Sequence, residues 1–153
     1  MKTQILKNAN ILQPLSILWM HEADTTFGIN FDVGIGISNL QKMIDKENSD
    51  VIGLYSDRGT IIGFIGIDCF PNPIGEGLCA NEHLWYVHPD YRGTMGSLRL
   101  IGSALEWAKE HGCTHFILNA SELASKLHDK ICAMYEMLGF RHFETSYIVR
   151  IEV

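Results

Sequence analysis

Helical patterns come first along this chain, then a hairpin, then strand–helix–strand–helix–strand. That order predicts an α/β domain whose mixed sheet is covered by helices. The size agrees: 153 residues make one domain, residues 1–153, and bury a proper core without staples. So does the composition, 46% apolar and 20% charged, which is ordinary for a soluble globular protein. No repeat, low-complexity tract or long linker divides the chain.

Residues 12–22 read as a first helix, entered through Pro14, whose fixed φ suits a first turn. Ser38 is placed to cap a second helix, Asn39 to Lys46, with Leu40, Met43 and Ile44 on one face. Val51 to Tyr55 reads as a strand, Ser56-Asp57-Arg58-Gly59 as a turn and Thr60 to Cys69 as a longer strand, together a hairpin. The breakers from Pro71 to Gly77 mark an exposed loop. Glu82 to Val87 is β-rich and feeds a Pro-containing turn and a Gly-rich loop. The helix that follows carries Leu98, Ile101, Leu105 and Ala108 on one stripe and charged residues opposite, and Gly112 closes it. Thr114 to Leu118 reads as a buried strand. Glu122 to Leu138 reads as a helix ended by Gly139, with Leu127, Ile131, Met134 and Leu138 inward, and alternation from Thr145 to Val153 predicts a last strand.

Several functional classes are disfavoured at once. A net charge of −6 argues against a broad nucleic-acid-binding surface and is compatible with a cationic or amine substrate. Cys69, Cys79, Cys113 and Cys132 are widely spaced with no CxxC pair, as expected of small apolar residues in a reducing cytosol. The seven histidines are scattered along the chain, and no metal site is expected. The apolar run Ile11 to Met20 is interrupted by Gln13 and Pro14, has no convincing cleavage site and is too short to span a bilayer. The expected location is the cytoplasm.

The chemistry is concentrated in Val87-His88-Pro89-Asp90-Tyr91-Arg92-Gly93-Thr94-Met95-Gly96-Ser97. A strand running through a Gly-rich loop into a helix gathers backbone N–H groups at the helix N-terminus, where the dipole favours an anion such as a phosphate. The loop lacks the GK[ST] ending of a P-loop and lacks GxGxxG, so neither a γ-phosphate site nor a dinucleotide fold is indicated. Main-chain donors that can wrap a pyrophosphate remain, with Arg92 as a charged neighbour.

Three segments occur in order: Trp85 to Gly93, Trp107-Ala108-Lys109-Glu110-His111-Gly112, and Ala133-Met134-Tyr135-Glu136-Met137-Leu138-Gly139-Phe140. Together they resemble the GNAT superfamily of acyl-CoA-dependent N-acyltransferases, and the first and last look particularly like small GNAT proteins of phage and prophage genomes. The resemblance runs from about Glu82 to the C-terminus; the N-terminal half fits only the family's order of elements. It implies a three-layer domain with a mixed, mostly antiparallel, twisted sheet flanked by helices. It implies acetyl-CoA as co-substrate and no metal. Laid on without a gap, the family's [Arg/Gln]-x-x-Gly-x-[Gly/Ala] loop covers Arg92, Gly93, Thr94, Met95, Gly96 and Ser97, with Met95 in the place of the middle glycine. The resemblance also implies that backbone groups near Trp85, Tyr86 and Val87 bind the pantetheine arm like an added strand. Asn119, closing the next strand, is either a pantetheine-binding amide or a turn residue.

An amine near pKa 10.4 is mostly protonated at neutral pH, and freeing it costs roughly 4–5 kcal/mol. A carboxylate or imidazole can take that proton directly or through water, while the departing thiolate needs a proton or hydrogen bond. The resemblance implies Glu82 as the base, with His83 as its rival; period-two alternation puts the two on opposite faces. It implies Tyr135 as the general acid. The expected reaction is direct acetyl transfer to a primary amine of a small molecule or peptide, without a covalent intermediate. The alternatives are a catalytically degenerate domain that binds CoA or a partner protein, and an enzyme that modifies a macromolecule. A homodimer is compatible with the alternating C-terminal segment. Acceptor contacts are expected from Trp19 to Gly36, where Trp19, Phe27 and Phe31 either line an apolar pocket or merely pack.

Overall fold

Largely buried apolar runs between residues 49 and 87 fold into three long strands, and two short strands complete the sheet. In the computed structural model, which describes residues 1–124 and 126–151, these are β1 (Lys2–Ile5), β2 (Ser49–Tyr55), β3 (Ile61–Pro71), β4 (Leu78–Val87) and β5 (Cys113–Ile117). They lie in the order β1-β2-β3-β4-β5, antiparallel throughout except for the parallel pair β4–β5. Among the described residues there are four α-helices: α1 (Gln13–Glu22), α2 (Val33–Asp45), α3 (Met95–Glu110) and α4 (His128–Met137). Leu12 and Leu15 of the α1 segment and Leu40 of α2 pack with Val51 and Phe64 on one face of the sheet. Leu100, Ala104 and Trp107 of α3 pack with Ile52, Leu54 and Ile65 on the other. The expected mixed, mostly antiparallel α/β architecture with helices on both faces is the one that forms.

Local chemistry moves several boundaries. Asp32, not Ser38, caps α2: its Oδ1 accepts from the Ile35 N–H at 2.8 Å, so the helix starts at Val33 and runs through Gly34 and Gly36. β4 begins at Leu78, because the loop before it closes tightly enough for Asn72 N–H to bond the Gly77 carbonyl at 2.9 Å. β1 is short and polar, without an apolar alternation, and forms because Lys2–Ile5 pairs with Ile52–Tyr55. The buried stripe of α3 is Ser97, Leu100, Ile101, Ala104, Trp107 and Ala108, while Leu98 and Leu105 sit on its flank. Trp107 turns inward because its indole N–H finds Asp50 Oδ2 at 2.7 Å.

The C-terminal third departs furthest from expectation. A 3₁₀ turn at Glu122–Ala124 precedes α4, whose buried residue is Tyr135; Leu127, Ile131 and Met134 are half-buried and Leu138 is exposed. The strand expected from Thr145 to Val153 is absent over its described part. Residues 141–151 have no regular structure and are exposed, and 152–153 lie outside the described residues. Alternation makes a strand only where a neighbouring edge receives its hydrogen bonds, and among the described residues β5 pairs with β4 alone.

One irregularity positions the site. Gly66 pairs with Leu84 but the next residue, Ile67, pairs with Glu82, which leaves His83 as an extra residue in β4. The bulge resets the alternation. Trp85 and Val87 belong with Ala80 to the α3-side core, and Leu84 and Tyr86 to the α1–α2 side.

Candidate active site

β4 and β5 run side by side only from Leu78 to Asn81, which pairs with Ile117. Beyond that point β4 continues to Val87 while the other chain turns away, so the strand edge from Glu82 to Val87 has no β5 partner. A group of four residues marks the fork. Asn119, just past β5, donates its backbone N–H to Glu82 Oε2 at 2.9 Å, and its side-chain amide donates to the Glu82 carbonyl and, at 3.3 Å, to Asn81 Oδ1. Its own carbonyl accepts from the Tyr135 hydroxyl at 3.0 Å. That hydroxyl in turn accepts from the indole N–H of Trp85 at 2.8 Å. Glu82, Trp85, Asn119 and Tyr135 are thus one connected unit, built from β4, the end of β5 and α4.

The electrostatics follow from burial. Glu82 is only 3% exposed, and loss of water pushes its carboxyl up to about 7 even though both hydrogen bonds from Asn119 pull it down. The Tyr135 hydroxyl is raised above its ordinary value by burial first and by the neighbouring Glu82 charge second, so it holds its proton at neutral pH. His83 takes no part: the bulge turns it outward, where Nε2 lies 2.8 Å from Asp68 Oδ1. No thiol competes as an activated nucleophile at β5. Burial and the neighbouring Cys69 push the Cys113 thiol up to about 11.

The Gly-rich loop lies at the open end of the fork. Gly93 has φ +71 and open space where a Cβ would stand, which leaves the backbone accessible there. Thr94 caps α3, its Oγ1 accepting from the Gly96 N–H at 3.2 Å and donating to the Tyr91 carbonyl at 2.6 Å. The remaining first-turn N–H groups have no intrahelical acceptor. Gly96 is small for a packing reason, since an added Cβ would stand 3.0 Å from Leu54 Cδ2; Ser97 is buried beside it. Met95 is 61% exposed and directed away from the core.

Arg92 is bound to protein on three sides. Its Nε donates to the Val87 carbonyl at 2.9 Å, and Nη1 and Nη2 reach Glu22 Oε2 and Oε1 at 2.7 and 3.0 Å. The guanidinium sits over the Tyr86 ring, 5.1 Å from its centroid, and the Tyr86 hydroxyl donates to Glu22. Burial pushes the Glu22 carboxyl up, but the hydrogen bonds from Arg92 and Tyr86 and the Arg92 charge outweigh it and hold the carboxyl below its usual range. Sequence reasoning missed Glu22. It lies 70 positions from Arg92 and no local pattern marks it.

The segment from Trp19 to Gly36, expected to meet an acceptor, is plainer. Trp19 and Phe31 meet edge to face, centroids 5.1 Å apart, and line a cavity of about 60 Å³ with Met20, Leu40, Phe64 and Leu84. Phe27 is half-buried and lies outside its lining.

A sequence model of the acetyltransferase (GNAT) family matches residues 18–140. No curated protein matches the chain by sequence. Among solved structures, a ribosomal-protein-alanine N-acetyltransferase from Brucella melitensis superposes with a TM-score of 0.74 at 19% identity, covering 99% of this chain and all of that one. An aminoglycoside 6'-N-acetyltransferase from Acinetobacter haemolyticus gives 0.71 at 18% identity over 100% of this chain and 99% of that one. A transcriptional regulator from Bacillus halodurans gives 0.79 at 16% identity over 98% and 99%. At these identities the likeness is one of fold.

Proposed function

The chain belongs to the acetyltransferase (GNAT) family, and from that premise we propose that it transfers an acetyl group from acetyl-CoA directly to a primary amine. Members of the family use an acyl-CoA as co-substrate, which supplies an acyl group already activated as a thioester. The residues present fit such a donor. The β4 edge around Trp85 and Tyr86, short of the Val87 carbonyl that Arg92 occupies, offers backbone groups to an extended amide-containing arm. Gly93, Thr94, Met95 and Ser97 offer N–H groups to a pyrophosphate at the α3 N-terminus, the Gly96 N–H being held by Thr94.

The observation that carries the reading is the Glu82–Asn119–Tyr135 unit at the fork. Glu82, with a pKa near 7, is matched to accept a proton from an ammonium group at neutral pH, directly or through one water. Asn119 holds the carboxylate in place with its backbone N–H, which leaves Oε1 for the proton. As the nitrogen bonds to the carbonyl carbon and the carbon–sulfur bond breaks, Tyr135 turns its proton from the Asn119 carbonyl to the sulfur. Nitrogen gives up two protons in all, the first to Glu82 and the second to solvent as the tetrahedral adduct collapses. Glu82 passes its proton to solvent and Tyr135 is reprotonated, so the balance is one proton on sulfur and one released. Trp85 keeps the Tyr135 oxygen at the fork throughout.

The acceptor enters from the α1–α2 side in this reading. Aminoglycosides and peptides beginning with alanine are reasonable first acceptors, given the names of the structural neighbours, and polyamines extend the panel. Among the described residues no helix is long and apolar enough to cross a membrane, and a cytoplasmic reaction is proposed. The test is calorimetric titration of acetyl-CoA and CoA, followed by thiol-release assays on that panel. Micromolar binding with turnover supports the enzyme; binding without turnover on any amine supports a degenerate CoA-binding module; absence of binding at millimolar donor removes both.

A further inference from the structure

The contacts of Arg92 assign it a different task from the one its place in the loop suggests. A guanidinium carries five N–H donors in a fixed plane. Here Nε is on the Val87 carbonyl, one hydrogen on each Nη is on Glu22, and the positive charge is matched by a carboxylate. The same carboxylate accepts from Tyr86, and the Tyr86 ring lies under the guanidinium. The three residues come from the end of α1, the end of β4 and the start of the loop, and they close a ring of contacts around the Val87–Arg92 turn. Side chains in such a charge-assisted, bidentate arrangement are held more firmly than a neutral pair.

We propose that Glu22 is a positioning residue for the donor, acting through Arg92: it fastens the pyrophosphate loop to α1, so that backbone N–H groups rather than the guanidinium charge meet the phosphates. The inference rests on the acetyl-CoA reading above and deepens it. It also couples the two halves of the site, because Glu22 ends the helix whose Trp19 lines the acceptor-side cavity. A direct phosphate role for Arg92 makes the opposite forecast: removing Glu22 would free the guanidinium and tighten donor binding.

The experiment measures CoA affinity by calorimetry, and KM and kcat for acetyl-CoA, in the parent chain, Glu22→Gln, Arg92→Gln and the double variant. Glu22→Gln is expected to weaken CoA and raise KM by about tenfold with kcat within about twofold, the size expected when one charge-assisted contact is lost. In the Arg92→Gln background, Glu22→Gln is expected to add nothing. Glu22→Asp, which restores the charge on a shorter arm, is expected to recover part of the affinity. Tyr86→Phe removes one contact of the same ring and should produce a smaller loss in the same direction. Unchanged or tighter binding in Glu22→Gln overturns the proposal, as does an equal loss in the Arg92→Gln background. A parent chain that neither binds CoA nor transfers acetyl instead overturns the functional reading and the inference with it.

Discussion

The two halves of β4 behave differently. From Leu78 to Asn81 the strand is paired on both sides, and Cys79 and Ala80 are buried in the core. From Glu82 to Val87 one edge is free, and the polar side chains along it are taken by other elements: Glu82 by Asn119, His83 by Asp68, Trp85 by Tyr135 and Tyr86 by Glu22. In the first half the backbone holds the fold together. In the second, side chains take over that task, Asn119 on the Glu82 carbonyl and Arg92 on the Val87 carbonyl, and the backbone between those two carbonyls has no β5 partner. The bulge at His83 is the boundary, since it breaks the alternation and points Glu82 and Trp85 the same way, toward Asn119 and Tyr135.

Removing the group at the boundary is the most severe way to break the second half. Glu82→Gln is expected to lower kcat/KM by about 10²–10⁴-fold, the usual range for a general base. In the parent, kcat/KM should rise with pH to a plateau above about 7, and this limb should vanish in the variant. Stability moves the other way. The folded chain keeps the Glu82 proton up to about pH 7, whereas the unfolded chain releases it near 4.5. The carboxyl therefore stabilises the fold fully below about pH 4.5, and that contribution is lost as pH rises through 7. Relative to Glu82→Gln, the parent should lose on the order of 3 kcal/mol between those limits, read from urea midpoints. A pH-independent difference between the two would show that Glu82 is not buried as a titrating carboxyl.

Tyr135→Phe should cost less. It removes the acid and leaves Trp85 Nε1 and the Asn119 carbonyl without their partner, and a fall in kcat of about 10- to 100-fold is expected. CoA affinity should stay within about threefold, because the backbone edge of Trp85–Val87 remains. A loss of affinity as large as the loss of kcat would make Tyr135 part of the strand's scaffold rather than of the chemistry.

Much of the fold was legible because its signals are local. The β2–β3 hairpin announces itself by two apolar, β-branched runs around the turn Ser56–Gly59, and α3 by its glycine-bounded amphipathic run. The site was legible only in part. Glu82, Asn119 and Tyr135 stood out through family resemblance, and the structure brings them within hydrogen-bonding reach of one another. The bulge that points Glu82 and Trp85 the same way depends on how β3 and β4 register, which the residues of β4 alone do not specify. Glu22 pairs with Arg92 only after α1 has docked across the sheet. Gly34 and Gly36 hid the start of α2, because glycine normally argues against helix and the Asp32 cap outweighs it here. The C-terminal alternation misled for the converse reason: it satisfied a local rule with no edge to complete it.

The opposite edge of the second half of β4, where Val87 pairs with Gly63 of β3, can be perturbed separately through Gly63. A Cβ there would stand 2.9 Å from the Tyr86 carbonyl and 3.3 Å from Leu100 Cδ1, so Gly63→Ala must push β3 away from β4 or from α3. Overpacking of this kind costs about 1–3 kcal/mol. The loss should appear as a lower urea midpoint with unchanged slope, and because the shift falls beneath Tyr86, donor affinity should fall as well. A destabilised variant with parental CoA binding would mean that the free edge tolerates movement of its own strand.

The smallest effect is expected at Met95, the residue that departs from the family's loop pattern. With Gly96 packed under Leu54 and Thr94 capping the helix, the first turn of α3 is fixed by its neighbours on either side, and Met95 contributes an N–H while its side chain stands in solvent. Met95→Gly and Met95→Ala should therefore leave CoA affinity within about twofold and stability within about 0.5–1 kcal/mol, with glycine the less stable of the two because it loosens a helix start. A tenfold gain in affinity in Met95→Gly, but not in Met95→Ala, would mean that the glycine of the pattern is needed for its backbone freedom, and that this loop holds its anion in a conformation the present turn only approaches.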